Sequence, residues 1–440
     1  MLEPTERLLW LLVVVIVVGA IGLGVPALGE AAVFILAGLL LAAVADALLA
    51  GSPRALSVKR VLPDIFVEGR AAAMSLELTA GRRGVDANIV DSLPPRAIAV
   101  GAEVDRKSSV KLARDETAVV DATATFVRRG THSLGRVAVR TAGPLGLVRR
   151  RARLDVRRSI EVLPDVARIG ARAERLLRGR DDGGVRRRAP REGKELDSLR
   201  EYQTGDDPRL VEWKISARRG QLVVRRMRPE TRQEIVVCVD AGRHLSGAHA
   251  PADGGEQRLD VAMASALTLA AAGLSRGDRV ALFAFAGDVL AYGPGATGNG
   301  HLRRLAQAVN GVESVAEEAD YGELASFVLA HHKRRAMVCI LTDVLDEPSV
   351  RALATAVGRL RGRHLVVVIA VGDPALLRLA RAPAPSPIDA AVAEAAARLL
   401  VHRKRGLAAL ESAGAVVVDA PSAKAAALAV ETYAQMKARL

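Results

Sequence analysis

The sequence is short of several things that would narrow its function at once. It holds 2 Cys in 440 residues, too few for a disulfide framework or a four-Cys zinc site. Aromatic residues make up 3%, which argues against a protein that stacks single-stranded bases. Lys is scarce too: almost all of the 63 basic residues are Arg. That skew, with abundant Ala and Gly, is what a GC-rich genome produces. The net charge of +14 and the pI near 10.4 are therefore weak signals for nucleic acid. No phosphate-binding G-x-x-x-x-G-K-[ST] loop, no H-E-x-x-H pair and no G-x-S-x-G elbow occurs. With no such signature, no catalytic residue is assigned and an enzyme is not expected.

What is present suggests about three units at roughly 100–200 residues per domain. Half of the residues are hydrophobic and 25% are charged, as in a globular protein. The first fifty residues stand apart. Leu8 to Leu28 carries no charge and would make a helix of about 31 Å, enough to span a bilayer core. A second apolar run, Ala31 to Ala50, is interrupted only by Asp46. The expectation is a transmembrane helical hairpin over residues 1–52, with helices at about 8–28 and 31–50. A cleaved signal peptide needs a positive leading segment, and Glu3 and Glu6 oppose that. Arg7 lies at one end of the hairpin and Arg54, Lys59 and Arg60 at the other, whereas the Gly29-Glu30 connector has no cation. Positive charges stay inside, so the sequence predicts a multi-pass protein of the plasma membrane whose bulk is cytoplasmic. Asp46 sits close enough to its helix end to reach the interface.

Residues 53–165 read as an antiparallel β-sandwich-like module. Short runs of Val, Ile, Leu and Thr recur at Leu56–Leu62, Ala73–Leu78, Ala97–Val104, Ala118–Phe126, Val137–Thr141 and Ile160–Leu163. Residues 166–232 begin as a basic linker, with Arg186-Arg187-Arg188 as a solvated cationic loop. It lacks the regular basic spacing of a groove-reading helix, a second argument against nucleic acid. Residues 233–440 alternate apolar strands with helices. The strands are Ile235–Val239, Val280–Phe285, Met337–Leu341, Leu365–Val371 and Ala415–Val418. Strands this apolar are buried on both faces, giving a doubly wound α/β domain with a parallel sheet. Gly293–Gly300 reads as a flexible turn, and His331-His332 as positive charge at a helix end.

Residues 193–230 carry Gly193-x-Glu195, Arg200-Glu201-Tyr202, Gly205-Asp206, Trp213, Ala217-Arg218 and Leu222-Val223-Val224-Arg225. Further along the chain are Asp240-Ala241-Gly242-Arg243 and Arg334-Arg335 through Leu341-Thr342-Asp343. This pattern resembles that of the DUF58 family of bacterial membrane proteins of unknown function. The resemblance implies a von Willebrand factor A-like, Rossmann-type C-terminal domain. It also implies a MoxR-type AAA+ ATPase as partner, because members are often encoded beside one.

Read residue by residue, the segment is either an internal clasp or a docking surface. Tyr202 and Trp213 are amphipathic anchors. Gly205, Asp206 and Asp207 precede Pro208 and suit a capped turn. Arg200, Arg218 and Arg225 are cationic, the last two being candidates for bidentate pairs with those carboxylates. The sheet offers a second candidate site. Asp240 and Asp343 end two apolar strands, where doubly wound folds bind ligands. The metal motif of the von Willebrand factor A domain that the resemblance implies is Asp-x-Ser-x-Ser, with a Thr and an Asp supplied later, but here it reads Asp240-Ala241-Gly242-Arg243-His244, without either hydroxyl. Asp320 could substitute for the missing Thr, and three carboxylates could hold Mg²⁺. Otherwise Asp240 and Asp343 cap the next helix or loop and bind no cation. The leading expectation is a membrane-anchored, cytoplasm-facing scaffold or adaptor working by protein–protein contact in cell-envelope or complex assembly. The alternative is a divalent-metal-dependent ligand-binding module built on Asp240 and Asp343.

Overall fold

The computed structural model describes residues 2–82, 84–95, 98, 104–181, 195–203, 206, 210–228, 233–247, 257–298 and 300–439. The chain divides into two compact units, Met1–Pro164 and Asp165–Leu440.

The first unit opens with strand β1 (Leu2–Pro4) and helices α1 (Glu6–Gly22) and α2 (Pro26–Leu49). Thr5 caps α1 by accepting from the Leu8 N–H, and Pro26 starts α2 where a missing N–H costs nothing. The helices pack together at their turn, where a Cβ on Gly22 would lie 2.5 Å from the Gly29 nitrogen. Both helices leave bulky apolar side chains exposed, among them Trp10, Ile16, Phe34 and Leu41. One N-terminal helix, Ala27–Ala55 with mean hydropathy 2.5, is long and apolar enough to cross a membrane. α1 is shorter than its apolar run predicts. The turn at Gly24 and Pro26 ends it after 17 residues, about 25 Å against a core of about 30 Å.

Ten further strands complete the unit: β2 (Ser57–Val61), β3 (Phe66–Val67), β4 (Ala71–Thr79), β5 (Val85–Ser92), β6 (Asp105–Leu112), β7 (Thr117–Thr125), β8 (Gly130–Leu134), β9 (Val137–Ala142), β10 (Val148–Leu154) and β11 (Arg158–Leu163). They form sheets of order β1-β10-β9-β5-β6, β2-β4-β7 and β3-β11-β8. Inward residues such as Leu78, Ile89 and Val139 fill one core, and Phe126, Leu134 and Val162 a second. The sequence does not predict β3, β5, β6, β8 and β10. β6 (DRKSSVKL) and β10 (VRRRARL) are so dense in cations that their apolar alternation is hidden. Of the strand expected at 97–104, Ile98 forms a bridge to Phe126 and most of the rest lies outside the described residues.

The hairpin is fastened to this module at its base. Asp46 is fully buried, so it does not reach an interface. Its carboxylate accepts from the N–H groups of Leu145 (2.7 Å), Leu147 (2.8 Å) and Val148 (2.9 Å) in the turn between β9 and β10. Thr5 donates its N–H to the Leu147 carbonyl and its hydroxyl to that of Gly146, 2.7 Å away. One turn therefore holds both ends of the hairpin.

The second unit begins with α3 (Val166–Asp181), where the sequence predicts a linker. Its Ala173 and Leu177 are buried in the next domain's core, and that apolar stripe makes it a helix. The Arg186–Arg188 run lies outside the described residues. Then come β12 (Glu195–Glu201), α4 (Trp213–Arg219) and β13 (Val223–Arg228), with β12 and β13 antiparallel. The α/β domain holds β14 (Glu234–Asp240), α5 (Arg258–Ser275), β15 (Arg279–Phe285), β16 (Val289–Ala296), α6 (His301–Ala308), α7 (Tyr321–His331), β17 (Ala336–Thr342), α8 (Glu347–Leu360), β18 (Leu365–Gly372), α9 (Pro374–Arg381), α10 (Pro387–Ser412), β19 (Val416–Pro421) and α11 (Ala425–Arg439). Its sheet has the order β16-β15-β14-β17-β18-β19, parallel except for β16.

Alternate residues of each central strand enter different cores. Val237 and Val239 pack with α5 and α11, while Val236 and Cys238 pack with α7 and α8. Burial of both faces explains the unbroken apolar runs. Burial also raises both thiols, that of Cys339 to about 12, so they behave as small hydrophobes. Gly293 and Gly295, expected in a flexible turn, belong to edge strand β16. At Gly293 a Cβ would meet Leu305 at 2.6 Å.

Candidate functional site

The strand order reverses between β14 and β17, and their carboxyl ends carry Asp240 and Asp343. A doubly wound sheet binds ligands at that position. Both carboxylates are buried and committed to protein donors. Asp240 accepts from the Gly242 N–H at 2.7 Å, the Thr342 hydroxyl at 2.6 Å and the Tyr321 hydroxyl at 3.0 Å. Burial pushes its carboxyl above the ordinary range, with those three hydrogen bonds pulling the other way.

Asp343 is clamped between two guanidinium groups. Arg258, the first residue of α5, donates to one oxygen. Arg403, from α10, donates through Nε to the other at 2.7 Å, and the Val344 N–H joins it at 3.0 Å. Both arginines are themselves buried. Arg258 also reaches the His244 carbonyl at 2.5 Å and the Val371 carbonyl at 3.0 Å. Arg403 reaches the Ala370 carbonyl at 3.1 Å and the exposed Asp419 at 2.7 Å. The crevice thus contains its own cations.

Asp320 belongs elsewhere. It is the N-cap of α7 and accepts from the Gly322 and Glu323 N–H groups at 2.8 and 3.0 Å. Among the described residues no group of three or more His, Cys, Asp and Glu could hold a metal ion. Mg²⁺ placed beside Asp343 would face two guanidiniums that already take both oxygens, and the ion needs several free oxygen ligands. These residues do not fit a resident divalent cation.

His244 does not pair with Asp240 or Asp343. Its Nε2 lies 2.9 Å from the Ser349 hydroxyl and 3.3 Å from Asp346. Both partners meet the same ring nitrogen, so the three do not form a relay in which a carboxylate orients the far side of the imidazole. Asp346 instead caps α8 through the Ser349 N–H and pairs with Arg243 at 2.7 Å. At the helix end, His332 pairs with Glu234 at 2.5 Å and His331 stacks on Phe327 at 4.0 Å.

In the 193–230 segment the carboxylate–arginine pair differs from the one expected. Arg200 on β12, rather than Arg218 or Arg225, grips Asp206 with two hydrogen bonds of 2.7 and 2.6 Å. The Gln203 N–H adds a third at 2.8 Å. Arg200 holds the Asp206 carboxyl below its usual range. Arg218 is exposed on α4, Arg225 lies on β13, and Gly205 and Asp207 lie outside the described residues. Tyr202 is half-buried and its N–H donates to the Leu222 carbonyl. Trp213, expected as a pinning anchor, is 66% exposed at the start of α4. The Ser216 hydroxyl ties α4 to β13 by accepting from the Val223 N–H at 2.9 Å.

Sequence reasoning misses Arg258, Arg403, Thr342 and Tyr321 as members of the crevice. Nothing local marks Arg258, and Arg403 sits in the run His402-Arg403-Lys404-Arg405, which reads as a solvated face.

Residues 198–405 match the family described as protein of unknown function DUF58. The uncharacterized protein Rv1480 of Mycobacterium tuberculosis is 29% identical over 192 residues, which are 42% of this chain and 57% of that protein. YeaD of Bacillus subtilis is 31% identical over 117 residues, covering 26% and 29%. The chain therefore spans 57% of the first of these relatives and 29% of the second. Two solved structures are loosely similar. The conserved hypothetical protein BatB from Bacteroides thetaiotaomicron overlaps 47% of this chain and 100% of its own at 17% identity, TM-score 0.27. A CARDB domain from Pyrococcus furiosus, solved with di-metal ions, overlaps 24% and 87% at 14% identity, TM-score 0.17. Neither overlap is close enough to carry a functional argument. Over residues 198–405, a little under half of its length, the chain is similar to the DUF58 family.

Proposed function

We propose that this chain is a membrane-anchored adaptor that acts by binding another protein. The single observation that carries this reading is Trp213. It stands 66% exposed on α4, a short helix tied to β13 by Ser216 that also carries Arg218 and Arg219. Exposed Trp beside Arg is the residue chemistry of interface hot spots. Leu222, three residues beyond α4, is also exposed. The crevice at Asp343 supports the same reading from the opposite direction. Its charges are neutralised internally, which disfavours the divalent-metal alternative.

The von Willebrand factor A-like character of the α/β domain rests on its strand order with one antiparallel edge, and on the family resemblance. The MoxR-type AAA+ ATPase partner rests on that resemblance alone. The cytoplasmic orientation rests on Arg7, Arg54, Lys59 and Arg60 at the hairpin's base. A two-pass anchor is supported by the common attachment of both helix ends to the β9–β10 turn.

The test is affinity capture from detergent extracts with the full chain and a Trp213→Ala variant. The reading expects an AAA+ ATPase with the wild type and at least a roughly tenfold loss with the variant, as befits an interface hot spot. The same partners on both chains, or none on either, would sink it.

A further inference from the structure

The outer face of the five-stranded sheet in the first unit carries a groove of about 420 Å³ lined by Asn88, Lys107, Ser109, Arg140 and Arg149. We infer that it binds the phosphodiester headgroup of an anionic phospholipid at the foot of the membrane hairpin. The inference rests on the membrane reading of that hairpin.

The register creates the groove. Side chains alternate across a strand, so Lys107 and Ser109 on β6, Asn88 on β5, Arg140 on β9 and Arg149 on β10 share one face. Asn88 is paired with both Ser109 and Arg140, so the three lie on one line across the sheet. At roughly 4.8 Å between strands, the groove is about 15 Å across. Of the acids on this face, Asp105 accepts from the Ser92 hydroxyl at 2.6 Å, and two others are matched by cations. Asp86 pairs with Lys111 at 3.5 Å, and Glu3 with Arg151 at 3.5 Å. Among the described residues, Lys107, Arg140 and Arg149 have no such carboxylate. Three cations beside an amide and a hydroxyl suit a phosphate oxyanion.

The groove's position selects lipid as the source of that phosphate. Arg149 is paired with Glu3 on β1, and Glu3 precedes the first residue of α1, Glu6, by about 10 Å of extended chain. The exposed apolar surface begins there, with Leu9 and Trp10. A headgroup layer flanks the hydrocarbon core where that surface ends, and basic pockets at this depth recognise anionic headgroups.

The experiment uses the full chain in neutral detergent micelles, read by native mass spectrometry. The probes are dioctanoyl phosphatidylglycerol, dioctanoyl phosphatidylcholine and inorganic phosphate. Phosphatidylglycerol is expected to bind in preference to phosphatidylcholine. Arg140→Gln with Arg149→Gln should weaken it by about 30-fold, as two lost cations predict. Arg140→Lys with Arg149→Lys should keep most of the binding. Arg351→Gln with Lys424→Gln, an equal charge change in the other unit, should keep all of it. Equal binding by the Gln pair and the wild type overturns the inference. So does inorganic phosphate that displaces the lipid at equal concentration, which would make this a soluble-anion site. Flotation of the wild type with phosphatidylcholine vesicles reads the membrane anchor separately. Failure to float defeats that reading, whereas normal flotation with equal binding by the Gln pair defeats only the lipid site.

Discussion

At the scale of single residues, Asp343 decides the character of the crevice. The switch point of a doubly wound sheet is where such folds bind their ligands. Here Arg258 and Arg403 hold both Asp343 oxygens inside a buried pocket. Removing the negative member would leave Arg258 buried with no counter-charge and Arg403 with only the exposed Asp419, which costs about 3–5 kcal/mol. Asp343→Asn is therefore expected to lower the stability of the full chain in denaturant by that amount, and added Mg²⁺ to leave the wild-type midpoint unchanged. Stabilisation of the wild type by Mg²⁺ would contradict the internal pairing. The two aspartates are legible in the sequence because each ends an apolar strand. Their partners are not, because a buried arginine carries no local signature. Arg403 becomes inward-facing only through the packing of α10 against α8 and β19, which sequence spacing does not encode.

At the scale of elements, the α/β strands are legible because two-sided burial leaves long apolar runs. The β module is harder to read. β6 and β10 solvate one face so heavily with Lys and Arg that their inward residues, Val110, Leu112 and Val148, stand too far apart to register. The hairpin's apolar character is plain, but its fastening is not. Asp46 gives one carboxylate to three backbone N–H groups about a hundred residues later in the chain. Hydrogen bonds to a charged acceptor are worth about 1.5–3 kcal/mol each. Asp46→Ala leaves buried N–H groups without acceptors and should destabilise the first unit by about 3 kcal/mol or more. Gly143→Ala should mimic it, since the added Cβ would collide with the Asp46 carboxylate. Protease susceptibility of the full chain in micelles reads both. An unchanged cleavage rate for Asp46→Ala would refute the clamp.

At the scale of the whole molecule, the two units share no core: the first has those around Ile89 and Phe126, the second those around Val237 and Val338 on the two faces of its sheet. Separate cores predict separate melting. The full chain should unfold in two transitions, and a 165–440 fragment should reproduce one of them at the same temperature. A single transition shared by both would contradict this division. The order of modules is readable from composition, but the boundary is not. α3 has a polar, Arg-rich surface like a linker's and is claimed by the second unit through Ala173 and Leu177. The grip of the β9–β10 turn on both ends of the hairpin also has a consequence for synthesis. The ribosome completes α1 and α2 roughly a hundred residues before Leu145, Leu147 and Val148 exist to receive Asp46. Docking therefore cannot drive the hairpin to its destination, and its apolar surface must find an environment unaided. The β module must then close its edge with β1, a strand made long before β10 and already committed beside the helices.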